Sequence, residues 1–478
     1  MPYPGELAGK TGHSEILSNP DVQQFLTQCA DIPKPAAIDF KALVGGFKKI
    51  LVGTELPEPL PELVLAIDGS TYEASIDDRA PSRRVGYVKI SSVLLNFERY
   101  MAARSSEDRF VDPFEINALR KNTSALSFAL PGSYMYLTPG ERVTTSFRRR
   151  VFECFTGEQT MLMGSIRLLD TLHFLSRHAG KVVDVDDQEY VLIHRCGGYA
   201  ADGSPCDQTK ILVPTASGET ICPKCAGPVF STDSLRIHEA FVEHGPNVEA
   251  LNRLMSVSEH ILIAHYLHAY SEKALDVVSK LCIIVDGPLA VFGQAAWVYR
   301  AILLTIQDIQ KKLHSAGLPK LLIIGFQKTG RLREHIDSIS HDIPEGSYFP
   351  VTDEYRYQFI DPGKLGSTKN FGDETYYGQD FVVKMPSGKT FSMMLPYPFD
   401  KTTPDFRTAK SVSTNYAELS RVFKVITALE SAMYGGAIVP VMLAHGNASI
   451  SIMPGGKVLE IVSKQAVTGT KTVVASGN

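Results

Sequence analysis

The sequence predicts an α/β protein, a sheet flanked by helices and interrupted by a small cysteine-bearing insert. Three observations predict it. LVLAIDGS, LCIIVDGPLAVFG and KLLIIGFQKTG are near-continuous apolar runs with the length of buried strands. Between them lie amphipathic stretches at helical spacing, such as AWVYRAILLTIQDIQKKLHSAG. From 181 to 232 the texture changes to short β-like runs broken by Gly, Pro, Asp and Cys.

Residues 1–60 read as a helical region, with QQFLTQCADI and FKALVGGFKKIL at helical spacing, closed by the rigid segment LPEPLPE. From 61 to 180 comes the first part of the main core. LVLAIDGS is a strand running into a turn at Asp68-Gly69-Ser70, RVGYVKISSVLLNF a second strand, and 141–178 helical, with an apolar face in MLMGSIRLLDTLHFLSRH. Residues 181–232 form the insert. The core resumes over 233–478: helical pattern in DSLRIHEAFVEH and VEALNRLMSVSEHILIAHYLHAYSEKAL, then the strand LCIIVDG, and a helix ended by Gly317. The strand ending at Lys328 follows. Last come a hairpin over TYYGQDFVVKMPSGKTFSMMLP with PSGK as its turn, a helix around 416–434, and the apolar run VPVMLAHGNASISIM.

The composition is that of ordinary globular protein: 44% hydrophobic, 21% charged and net charge −4 over 478 residues. It excludes wholesale disorder and a generally basic, histone-like binder, but not a local basic groove. No run of about 18 apolar residues occurs, so no membrane span is expected. The N-terminal residues MPYPGELAGKTGHSE carry no secretory pattern, and seven cysteines are few for a disulfide scaffold, so a reducing, cytoplasmic compartment is expected.

Asp68 and Asp286 each end an apolar run at an Asp-Gly pair, where ligands of α/β sheets gather. Asp-Gly is also ordinary turn chemistry. Glu259 falls in or beside the stripe Leu254, Val257, Ile261 and Leu262, where an unpaired carboxylate is costly. Glu239 and Glu243 are its fallbacks. Three such acids together suit Mg²⁺ or Mn²⁺ and phosphodiester chemistry. Lys328 ends a strand, where it can hold a phosphate as a point charge, and His445, after an apolar run, can move a proton, contact phosphate or take part in metal binding. Cys196, Cys206, Cys222 and Cys225, at spacings C-x9-C, C-x15-C and C-x2-C, read as a structural Zn²⁺ site, with His194 as a substitute ligand. Cys29, Cys154 and Cys282 read as buried small hydrophobes. Arg79, Arg83 and Arg84, and Arg148, Arg149 and Arg150, read as solvated basic faces.

The ordered set Asp68-Gly69-Ser70, Glu259, Asp286-Gly287-Pro288-Leu289, Lys328 and His445 in LAHGNAS resembles the NurA nuclease family over about residues 60 to 460. YYGQDFVVK and VTDEY resemble its later segments. The resemblance implies an RNase H-like core, a homodimer, and Mn²⁺- or Mg²⁺-dependent cleavage of DNA beside a HerA-like hexameric ATPase, in DNA end processing or antiviral defence. It makes Asp68, Glu259 and Asp286 metal ligands, His445 a catalytic-site residue and Lys328 a phosphate contact. The chain holds no GxxxxGK[ST] motor motif, so a separate translocase is expected, docking on apolar surface around Phe40–Leu51 or near the C-terminal region. Two rival readings are a phosphotransferase or ATPase of the actin–sugar-kinase class, using Asp68-Gly69-Ser70-Thr71 on phosphate, and a catalytically silent DNA- or partner-binding subunit.

Overall fold

The computed structural model describes residues 10–29, 46–50, 58–102, 123–430, 438–450 and 455–468. Among these residues, nine strands make one mixed sheet. Within it β2 (Leu63–Ser75) runs antiparallel to β3 (Arg84–Asn96), itself antiparallel to the edge strand β4 (Thr123–Pro131). On the other side of β2 lies β10 (Leu281–Asp286), parallel to it, and then β11 (Leu322–Gln327), parallel to β10. A three-strand meander followed by two strands parallel to its first is the RNase H-like arrangement. The sheet is extended by the expected hairpin, β13 (Gly378–Lys384) and β14 (Thr390–Pro396), and then by β12 (Ser347–Pro350) and β1 (Lys48–Lys49).

Alternation along the strands builds three layers. Leu65 and Ile67 of β2 face a core shared with helices Val143–Thr156, Leu168–His178, Val248–Ser271 and Val298–Ser315. Val64 and Ala66 face the opposite core, under helices Leu419–Leu429 and Val439–Ala448. β10 divides the same way, with Ile283 and Val285 on one side and Cys282 and Ile284 on the other.

The cysteine-bearing stretch makes its own sheets. β5 (Val182–Val185), β6 (Gln188–Arg195) and β7 (Thr209–Pro214) form one, and β8 (Glu219–Ile221) pairs with β9 (Pro228–Phe230) in the other. Their shared interior, Val191, Ile193, Ile211, Val213 and Val229 with Cys196, Cys206 and Cys222, is separate from the main cores.

Several local expectations are corrected. Asp68-Gly69-Ser70 is not a turn: β2 continues to Ser75, paired residue by residue with β3 as far as Arg84. The β2–β3 hairpin makes its turn at 76–83, so Asp68-Gly69-Ser70-Thr71, read as a phosphate-binding segment, lies inside the ladder and not at a turn. MLMGSIR is a turn rather than helix, with Met163 and Gly164 at positive φ. DSLRIHEAFVEH breaks into 3₁₀ turns because the Asp233 carboxylate accepts the Phe230 N–H and Arg236 adopts a left-handed conformation. PVMLAHGNA is a helix with Pro440 in its first turn, not a strand. Phe40–Gly45 and Leu51, expected as apolar docking surface, lie outside the described residues, and within 46–50 Gly46, Lys48 and Lys49 are exposed and Phe47 half-buried. Lys48–Lys49 adds a strand to the sheet edge and Ile50 is buried. Among the described residues, no helix is long and apolar enough to cross a membrane.

Candidate active site

The parallel pairing of β10 with β2 sets Val285 opposite Ile67, so Asp286 and Asp68 come next, side by side at the carboxyl end of the pairing. Both follow, at period two, residues that face the core under Val439–Ala448. That helix brings His445 over them. His445 Nδ1 lies 2.8 Å from Asp68 Oδ2. One ligand atom each from Asp68, Asp286 and His445 fit within 4.8 Å of one another. Lys328, just past the end of β11, places Nζ 2.5 Å from Asp286 Oδ2. These four, with Gln327 and Thr329, line an open pocket of ≈ 440 Å³.

The pocket's electrostatics follow from its burial. Asp68 is 6% exposed, and its carboxyl is pushed up to about 6, chiefly by desolvation and then by the neighbouring Asp286. Its other oxygen accepts the Gly69 N–H at 2.8 Å. Two carboxylates this close repel each other unless a cation stands between them. Lys328 offsets part of that charge from the Asp286 side.

Glu259 comes from the opposite layer. It rides on helix Val248–Ser271, packed under the face to which Gly69, not Asp68, points. A Cβ on Gly69 would stand 2.6 Å from Glu259 Oε1, so the glycine is what lets the carboxyl approach. Glu259 is buried and held well above the usual carboxylate range, first by burial and then by Asp68 and Asp286. It therefore feels the acid pair but lies outside the 4.8 Å set. The fallbacks are engaged elsewhere. Glu239 pairs with Arg236, and Glu243 accepts from the Thr144 N–H and pairs with Arg142.

Gln327 and Asp380 were not singled out in the sequence. Gln327 Nε2 donates to Asp380 Oδ1 at 2.6 Å, and the buried Asp380 also pairs with Arg356. The signal for Gln327 was its place beside Lys328 at a strand end. Asp380 sits in the hairpin motif YYGQDFVVK, where nothing local marks it as a support for the pocket.

In the insert the four cysteines converge, with one sulfur each inside the same 4.8 Å limit. Cys196 and Cys225 Sγ are 3.8 Å apart, and Cys206 and Cys222 Sγ 3.9 Å. A tetrahedral ion with metal–sulfur bonds of about 2.3 Å sets its ligands about 3.8 Å apart, so the cluster has the right dimensions. His194 is exposed and outside it. Of the other cysteines, Cys154 and Cys282 are buried and their thiols are pushed up to about 12, whereas Cys29 is exposed, contrary to expectation.

The basic runs differ. Arg83 and Arg84 pair with Asp77 and Glu73 as surface residues do. Arg148 instead is buried, because its helix faces the insert and Asp233 receives it.

No protein-family model matches the chain, and no curated protein does. Among solved structures it is similar to the NurA nuclease from Sulfolobus solfataricus, at 11% identity and TM-score 0.32 over 98% of this chain and 100% of that one. It is also similar to a NurA bound to dAMP and manganese, at 11% identity and TM-score 0.30 over 90% and 92%. Likeness this distant decides neither activity nor partner.

Proposed function

We propose that this chain is a metal-dependent deoxyribonuclease that hydrolyses phosphodiester bonds. The observation that carries the reading is the pairing of Asp68 and Asp286 on adjacent parallel strands of an RNase H-like core, open to solvent, with His445 and Lys328 on their rim. Hard oxygen ligands fit Mn²⁺ or Mg²⁺. When bound, such an ion supplies charge neutralisation and water activation. Asp68 and Asp286 hold it, with Glu259 behind them as the third acid. Lys328 turns its charge to the scissile phosphate. His445, its Nδ1 engaged by Asp68, has Nε2 for moving a proton at the leaving oxygen or for contacting phosphate.

The tetracysteine cluster is read as a structural Zn²⁺ site, because a closed set of four sulfurs leaves no position for substrate. With no motor motif and a net charge of −4, the chain is proposed to act as a cytoplasmic homodimer fed DNA by a HerA-like ATPase, in end processing or antiviral defence.

The deciding experiment is incubation of purified protein with linear DNA, with and without Mn²⁺. Cleavage that needs the ion supports the reading. Intact DNA in both arms, with a candidate ATPase and ATP also supplied, refutes it and favours a silent binding subunit.

A further inference from the structure

One buried charge outside the acidic pocket is only partly answered. Arg148, on helix Val143–Thr156, is 2% exposed. Its Nε donates to Asp233 Oδ1 at 2.9 Å, and its Nη2 to Asp233 Oδ2 at 2.5 Å and to the Pro228 carbonyl at 2.9 Å. Nη1 is buried with no hydrogen-bond partner. A guanidinium is a rigid fork of five donors, and one left dry and unpaired in a protein interior calls for an acceptor.

Two consecutive glycines lie between this guanidinium and the cysteine sulfurs. A Cβ on Gly197 would lie 2.8 Å from Arg148 Nε and 2.9 Å from its Cζ. A Cβ on the next residue, Gly198, would lie 3.0 Å from Cys225 Sγ and 3.3 Å from Cys196 Sγ. The guanidinium and the sulfurs are thus pressed against consecutive residues of one bare stretch of backbone.

We propose that Arg148 is an outer-sphere counter-ion of the tetracysteine metal site, fastening the insert's metal to the nuclease core. The inference rests on the zinc reading above. Four thiolates around Zn²⁺ leave a net charge of −2, and groups just outside the ligands that offset such charge tune the affinity. Arg148 brings a positive charge that deprotonation does not remove. Asp233 holds the fork in place, and His238 Nδ1 stands 3.7 Å from Asp233 Oδ1 on its other side. The same helix sends Phe147, Val151 and Phe155 into the core beside the sheet. One side chain therefore lies one residue of backbone away from the cysteine sulfurs and belongs to the main fold.

The test uses the full chain and measures zinc directly. Wild type is expected to carry about one Zn²⁺ per chain by elemental analysis. Arg148→Met should lower zinc affinity about 10–100-fold in competition with EDTA, the usual effect of losing an outer-sphere partner. The double variant Arg148→Met/Asp233→Asn removes both charges, so no carboxylate is left buried alone, and should show the same loss with native far-UV circular dichroism. Arg148→Lys, charged but without the fork, should fall between. Zinc-free wild type overturns the metal reading and this inference with it. Zinc-loaded wild type, with the Lys variant and the folded double variant holding zinc as tightly, overturns the role of Arg148 alone.

Discussion

A Cβ on Gly69 would stand 2.6 Å from both Glu259 Oε1 and Met255 Cγ, and the two cannot retreat independently because they ride on one buried helix. The glycine after Asp68 therefore serves a close approach across the sheet, not a turn. Gly69→Ala is expected to cost about 1–3 kcal/mol, as overpacking does, and to lower the melting temperature. An unchanged melt would show that Glu259 does not need the space. The acid pair gives a sharper expectation. Asp68→Ala or Asp286→Ala removes a proposed ligand and should reduce Mn²⁺-dependent DNA cleavage by more than about 100-fold, beyond what outer-sphere losses cost, with circular dichroism unchanged. Wild-type rates in both would sink the site. Both aspartates were legible because an apolar run ending in an acid is a strong local pattern, although only Asp286 ends its strand and β2 runs on past Asp68. His445 was legible as a residue but not as part of a helix, since a short apolar run has no period that separates helix from strand.

The insert and the long helices behave differently as units. The insert's interior consists of a few aliphatic side chains around three of the four cysteines, too little to hold two small sheets without a cross-link. Cys222→Ser should thus cost the insert its zinc and speed hydrogen exchange across Val182–Phe230, leaving β2 and β10 protected. Uniform exchange rates in wild type and variant would mean that the cluster is not structural. The helix Val248–Ser271 was predicted within a few residues because its apolar stripe runs for many turns. DSLRIHEAFVEH carries a helical pattern yet folds as 3₁₀ turns, because Asp233 is drawn to Arg148 from another part of the chain. Intrinsic propensity lost there to a buried ion pair.

Three layers bury histidines that carry no proposed catalytic role. His173, His260 and His265 each have their imidazole pushed from the ordinary 6.5 down to about 4 by burial. Between those values the unfolded chain holds protons the folded chain refuses, so stability is lost as pH falls from 6.5 toward 4. Each contributes at most about 3 kcal/mol, so the melting temperature should drop steeply over that window. A melting temperature constant from pH 7 to pH 4 would contradict it. The proposed assembly is tested by co-expression with HerA-like ATPases and size exclusion. A monomer that degrades long duplex DNA at full rate without ATP would count against both dimer and translocase.

What the residues alone carried was the α/β class, the buried strands, the acids that close two apolar runs and the cysteine spacing. These are short-range patterns: apolar runs, turn residues and ligand intervals. What only the folded chain decided was adjacency. The register of β10 on β2 sets Asp286 beside Asp68, the helix crossing above adds His445, and the helix below keeps Glu259 on the far side of Gly69. The burial of Arg148 belongs to the same class. A run of three arginines reads as solvated surface until a distant carboxylate, the Pro228 carbonyl and the backbone at Gly197 close over its first member. Pairings between residues far apart in sequence leave no local trace, because their energy comes from desolvation and contact that exist only once the layers have packed.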